Sequence, residues 1–69
     1  MDAKSRVASN LRRLRTDRGL TQEDLSERSN VHQTYLSGVE SAKRNPTVEV
    51  LERIAAALRV DVSELFRKP

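Results

Sequence analysis

Apolar residues recur along this chain at helical spacing. Val7, Leu11 and Leu14 fall at i, i+4 and i+7, with Lys4, Arg12 and Arg13 off that face, which predicts an amphipathic first helix. Gly19 follows a polar stretch and suits the positive φ of a residue just past a helix end. Thr21 is a good N-cap, and Gln22, Glu23 and Asp24 fill the first turn of a second helix, where the macrodipole favours acids. That helix is short and ends near Ser29, with Asn30 able to enter the left-handed region. A third begins near His32, carries Leu36 and Val39 inward, and ends around Ser41; Pro46 bars a helical Asn45. Thr47 caps a fourth with Leu51, Ile54, Ala55 and Leu58 as its apolar positions. Asp61-Val62-Ser63-Glu64 reads as a capping box opening a brief fifth helix that holds Leu65 and Phe66. No alternating strand pattern competes. The expected fold is all-α, a compact five-helix domain spanning residues 1–69.

Composition narrows the chemistry. The chain has 69 residues, no cysteine and one histidine, His32. Disulfides, thiolate metal sites and cysteine nucleophiles are excluded together, and no histidine-rich metal site can form. No apolar run approaches the ~20 residues of a membrane span, and the first residues lack a signal-peptide core. The expectation is a soluble, cytoplasmic protein without membrane contact. Tyr35 and Phe66 alone do not make a base-stacking platform. The acid–base candidates are His32 with Glu40 or Asp24, and they lack a nucleophile–base–orienter set. No enzyme, cofactor, metal or small-molecule ligand is expected.

The net charge of +3 is unevenly spread. Residues 1–18 hold Lys4, Arg6, Arg12, Arg13, Arg15 and Arg18 against Asp2 and Asp17. An acidic stretch follows over residues 19–40, and then Lys43 and Arg44. Two basic patches around an acidic one suggest a single cationic surface assembled by folding, which fits a polyanion partner. The same arginines would equally serve as solvated helix faces.

The segment Thr21 to Pro46 is the informative one. Two short helices joined by a turn of about three or four residues form the helix-turn-helix pattern. The first braces the second, which stands clear enough to enter a DNA major groove ~12 Å wide. Turning ~100° per residue from Leu36, Val39 and Glu40 lie on the buried side, and Thr34, Ser37, Gly38 and Ser41 lie on the outer face. A face of small and hydroxyl residues suits close approach to another surface.

The chain resembles the Cro/CI-type helix-turn-helix family, also called the XRE family. These are lambdoid phage repressors, many bacterial repressors and the controller proteins of restriction–modification systems. The likeness runs from about Arg6 to Phe66, through LRRLRTDRGLTQEDLSERSNV, TYLSGVESAKRNPT and LERIAAALRVDVSELF. It implies a five-helix fold and a transcriptional regulator, in most members a repressor, that binds double-stranded operator DNA as a two-fold homodimer. Carried over residue by residue, Gln33, Thr34, Ser37 and Gly38 occupy base-reading positions. Gln33 is chemically suited to adenine N6/N7 and Thr34 to a base edge or a thymine methyl. Gly38 departs from the polar residue of many phage repressors; it either admits close backbone approach or is merely tolerated.

Thr21, Gln22, Tyr35, Lys43, Arg44 and Asn45 correspond to phosphate-contacting positions; for Gln22 the helix N-terminus supplies a mechanism. Tyr35 could equally pack on the second helix, and His32 is either solvated or near a phosphate. Arg15 and Glu40 match a structural ion pair of the family; the alternative is two exposed charges that never meet. Ser41-Ala42 replaces a frequent Arg-Gly, and Arg59 a frequent Gly. With the core residues assigned, Val60, Val62 and Phe66 remain as an apolar patch for dimerisation, unless Phe66 caps its own core in a monomer. A competing function is an antitoxin-type or other protein-interaction module with accessory DNA binding.

Overall fold

The computed structural model describes residues 2–68. Helix starts follow side chains that accept orphan N–H groups. The Asp2 carboxylate accepts the Ser5 N–H at 2.8 Å and opens α1 (Ala3–Asp17). At α2 (Gln22–Ser29) the capping is reciprocal: the Thr21 hydroxyl accepts the Asp24 N–H and the Asp24 carboxylate accepts the Thr21 N–H, both at 3.0 Å. Thr47 accepts from the Val50 N–H and opens α4 (Val48–Leu58). Only α3 (Gln33–Glu40) starts without a side-chain cap, at His32.

Helix ends share one device. Gly19, Ala42 and Arg59 take φ of 66°, 61° and 59°. Their N–H groups bond back to the carbonyls of Thr16, Val39 and Ala56, and the next residues, Leu20, Lys43 and Val60, bond to Arg15, Gly38 and Ala55. These are Schellman closures of α1, α3 and α4. Asn30 ends α2 at φ 57°. The turn after α3 therefore keeps the left-handed geometry although alanine, not glycine, occupies it.

The expected fifth helix is a 3-10 turn over Val62–Phe66, so the described residues hold four α-helices and one short 3-10 segment. Asp61 accepts the Ser63 N–H on its carboxylate and the Glu64 N–H on its carbonyl, which winds the chain with i to i+3 spacing. Five residues are too few to repay α-helix nucleation. The carbonyls at and just past the end of the turn are held by α1. Asn10 Nδ2 donates to the carbonyls of Leu65 at 2.9 Å and Arg67 at 2.8 Å, and Arg6 donates to that of Phe66 at 3.3 Å.

Leu11, Leu25, Leu36, Val39, Ile54, Leu58 and Leu65 are fully buried and form one core. Around it α1 packs on α3 and on the 3-10 turn, α2 on α3 and α4, and α4 on the 3-10 turn. No helix among the described residues is long and apolar enough to cross a membrane. The arginines of α1 act differently from a uniform cationic face. Arg18 donates to the carbonyls of Leu58 and Leu14, and Arg12 to that of Glu40. Together with Arg6, they tie α1 to the ends of other elements, because last-turn carbonyls lack intrahelical partners and attract cations.

Candidate nucleic-acid interface

Residues 30–32 separate α2 from α3. Asn30 turns the chain, Val31 is buried, and the Ser26 hydroxyl donates to the Val31 carbonyl at 2.6 Å. Leu25 of α2 and Leu36 and Val39 of α3 hold the two helices against the core. That anchoring turns Gln33, Thr34 and Ser37 to solvent, with Gly38 half-buried between them and the following loop. Lys43, Arg44 and Asn45 are exposed beside this face. Thr21 is exposed and Gln22 half-buried at the start of α2. Gln22, Ser37 and Ser41 line a shallow cleft together with Arg12, Arg15 and Glu40.

Behind α3 lies a buried charged network. Arg15 grips Glu40 with two bonds, Nε to Oε2 at 2.6 Å and Nη2 to Oε1 at 3.0 Å, and its Nη1 donates to the Leu20 carbonyl at 2.7 Å. The Arg15 side chain is 14% exposed and that of Glu40 5%. The bonds to Glu40 raise the Arg15 pKa above its ordinary value, against the opposing effect of burial. Gln22 Nε2 also donates to Glu40 Oε1 at 3.3 Å, so the first residue of α2 and the last turn of α1 meet on one carboxylate at the end of α3. Tyr35 is half-buried against the core, and the Arg44 guanidinium carbon lies 5.3 Å from its ring centroid. His32 is exposed.

Among the apolar residues outside the core, Val60 and Val62 are half-buried against it and Phe66 is 40% exposed. Val48, which hydrophobic spacing along α4 left outside the core face, is 72% exposed. Val48 and Phe66 border a groove of about 220 Å³ floored by Ala3, Val7, Pro46 and Leu51. Sequence reasoning also missed Asn10. Its signal was a polar side chain inside the Val7–Leu11–Leu14 stripe, where it is 5% exposed. Among the described residues no cluster of His, Asp and Glu is arranged to hold a metal.

The sequence pattern of the helix-turn-helix family HTH_3 matches residues 11–65. Over 65 residues the chain is 49% identical to y4dJ, an uncharacterised HTH-type transcriptional regulator of Sinorhizobium fredii, covering 94% of this chain and 84% of that protein. The crystal structure of a hypothetical transcription factor, NHTF, from Neisseria superimposes with a TM-score of 0.94 at 34% identity, covering 99% and 78% of the two chains. The restriction–modification controller protein C.Esp1396I, solved as a tetramer with its natural 35 base-pair operator, superimposes with a TM-score of 0.84 at 33% identity, covering 97% and 99%.

Proposed function

The chain belongs to the helix-turn-helix family HTH_3, and from that premise we propose that it is a sequence-specific DNA-binding transcriptional regulator whose α3 enters the major groove. One observation carries the reading: α3 turns an exposed, uncharged row of Gln33, Thr34 and Ser37 outward while a buried Arg15–Glu40 pair fixes it from behind. A rigidly braced helix with short polar side chains reaches base edges without desolvating charges. In this reading Gln33, Thr34 and Ser37 contact bases. Thr21, Gln22, Tyr35, Lys43, Arg44 and Asn45 contact phosphates. The Thr21 hydroxyl accepts the Asp24 N–H at the exposed start of α2.

The controller protein solved on its operator is an oligomer, which supports pairing of this chain as a two-fold dimer through Val60, Val62 and Phe66. Exposed Val48 adds apolar area at the same Phe66 groove. Two recognition helices would then read half-sites one helical turn apart, ~34–36 Å.

Selection of bound sequences from a random duplex pool tests the reading. A pseudo-palindromic consensus is expected. Gln33→Ala should cost ~1–3 kcal/mol at one base pair per half-site and relax the preference there. Lys43→Ala should weaken all sequences about equally and lower the log–log salt slope by roughly 0.9 per half-site. No enriched sequence, or a consensus unchanged by Gln33→Ala, would refute the respective assignment.

A further inference from the structure

We infer that Gly38 is a seat for Arg44, which carries the guanidinium of the loop after α3 as a fixed part of the α3 surface. Glycine inside a helix weakens it relative to alanine, and Gly38 does not take the positive φ that would require glycine. Space supplies the reason. A Cβ built on Gly38 would stand 2.5 Å from Arg44 Cγ and 3.6 Å from Arg44 Cβ and Cδ. Such a contact cannot be relieved at the tip of the side chain, because Cγ is only one bond beyond Cβ. The Arg44 backbone is itself held: the Gly38 carbonyl accepts the N–H groups of Lys43 at 2.8 Å and Arg44 at 3.1 Å. Relief therefore means a new Arg44 rotamer or a broken helix end.

From that seat the side chain runs to Tyr35, three residues before Gly38 on the same side of α3. The guanidinium carbon lies 5.3 Å from the ring centroid, within cation–π range. No carboxylate pairs with Arg44 among the described residues. The positive charge is thus oriented by a ring and a notch, and it stays available to an anion. Gly38 becomes a positioning residue and not a base-reading one. Arg44 is held in fixed register with Gln33, Thr34 and Ser37. The use of that register on DNA rests on the function proposed above; the seat itself does not.

A double-mutant cycle over Gly38→Ala and Arg44→Ala separates the two. Without DNA, nuclear magnetic resonance reads the ring-current shifts that Tyr35, the single tyrosine, imposes on the Arg44 side-chain protons. Gly38→Ala is expected to abolish those shifts. It should raise the melting temperature only in the Arg44→Ala background, where no Cγ opposes the new methyl. On the selected duplex, Gly38→Ala should weaken binding ~3–10-fold, the loss of one pre-ordered flexible side chain, and have no effect once Arg44 is alanine. Ring-current shifts that survive Gly38→Ala would overturn the seat whatever the DNA result. Equal weakening in both backgrounds would overturn the positioning role and make Gly38 a direct DNA contact. Lost shifts in a protein that selects no DNA would uphold the seat and reject the DNA-binding reading instead.

Discussion

Glu40 is costly to bury, because a carboxylate 5% exposed must be matched by donors. Arg15 matches it with a planar fork. Arg15→Ala or Glu40→Ala is expected to destabilise the protein by about 3 kcal/mol, since each leaves the other charge unpaired. The double variant should lose clearly less than the two singles combined; chemical denaturation of all four forms measures this, and additivity would dismiss the pair as a lock. The pair is no pH switch on the arginine side. The Arg15 pKa is raised above its ordinary, strongly basic value, so its contribution is complete at neutral pH and is lost only under strongly alkaline conditions. Asn10 is the second residue of this kind. Asn10→Ala would strip the Leu65 and Arg67 carbonyls of their donor and should cost ~1–3 kcal/mol. Amide exchange should quicken first over Val62–Phe66; an exchange pattern identical to the wild type would refute the tie. Both residues were visible as polar intrusions on apolar faces, but the sequence shows a partner only through resemblance for Arg15 and Glu40, and not at all for Asn10.

At the scale of elements, the ends of helices are where this chain has stability left to gain. Ala42 and Arg59 hold left-handed conformations at φ 61° and 59°, which costs an L residue ~1–2 kcal/mol. Glycine would relieve the strain and return ~0.4–1 kcal/mol to the unfolded chain. Ala42→Gly and Arg59→Gly should therefore each stabilise by about 0.5–1 kcal/mol, a rise of ~3–6 °C in melting temperature for a domain of this size. Calorimetry decides, and a fall at either position would contradict the closure described. The starts of helices respond to acid. The Asp24 carboxyl is held below its ordinary value of 3.8 by the N–H and hydroxyl of Thr21, and those of Asp2 and Asp61 by Ser5 and Ser63. A depressed carboxyl stabilises the fold above its unfolded pKa and stops doing so as pH falls through the folded one. Asp24→Asn should thus lower stability at pH 7 and flatten the loss as pH falls through and below the ordinary carboxyl range; an unchanged pH slope would remove Asp24 from the account. Capping residues are local signals, so Thr21, Thr47, Gly19 and Asn30 were readable in advance. The 3-10 turn was not, because the donors that claim its carbonyls, Arg6 and Asn10, lie about sixty positions away in α1.

For the whole molecule, the charge and apolar distributions have different consequences. Arg6, Arg12, Arg15 and Arg18 are spent on main-chain carbonyls and Glu40, while Lys43 and Arg44 stay exposed beside α3. The proposed dimerisation would draw on the opposite resource. The wild type is expected to sediment as a dimer and a Val62→Glu/Phe66→Glu variant as a monomer at the same concentration, and Val48→Glu should weaken pairing because it charges the rim of the Phe66 groove. A wild type that stays monomeric at high micromolar concentration, or a doubly charged variant that still dimerises, would exclude this patch.

Sequence alone determined the four long helices, the caps at Thr21 and Thr47 and the stripe of leucines and valines that meets in the core, because periodicity and capping act over a few residues, but it made a fifth helix of the 3-10 turn. Helical spacing also put Thr34 and Ser37 on the outer side of α3, and the family resemblance added Gln33; Gly38, placed on the same face, is half-buried. Tertiary structure decided what long side chains do. Whether an arginine faces solvent, a carboxylate or a carbonyl depends on which element ends beside it. Arg12 and Arg18 meet acceptors 28 and 40 residues away. Gly38 makes the same point in reverse: its missing Cβ has meaning only because the closure after α3 lays Arg44 across it.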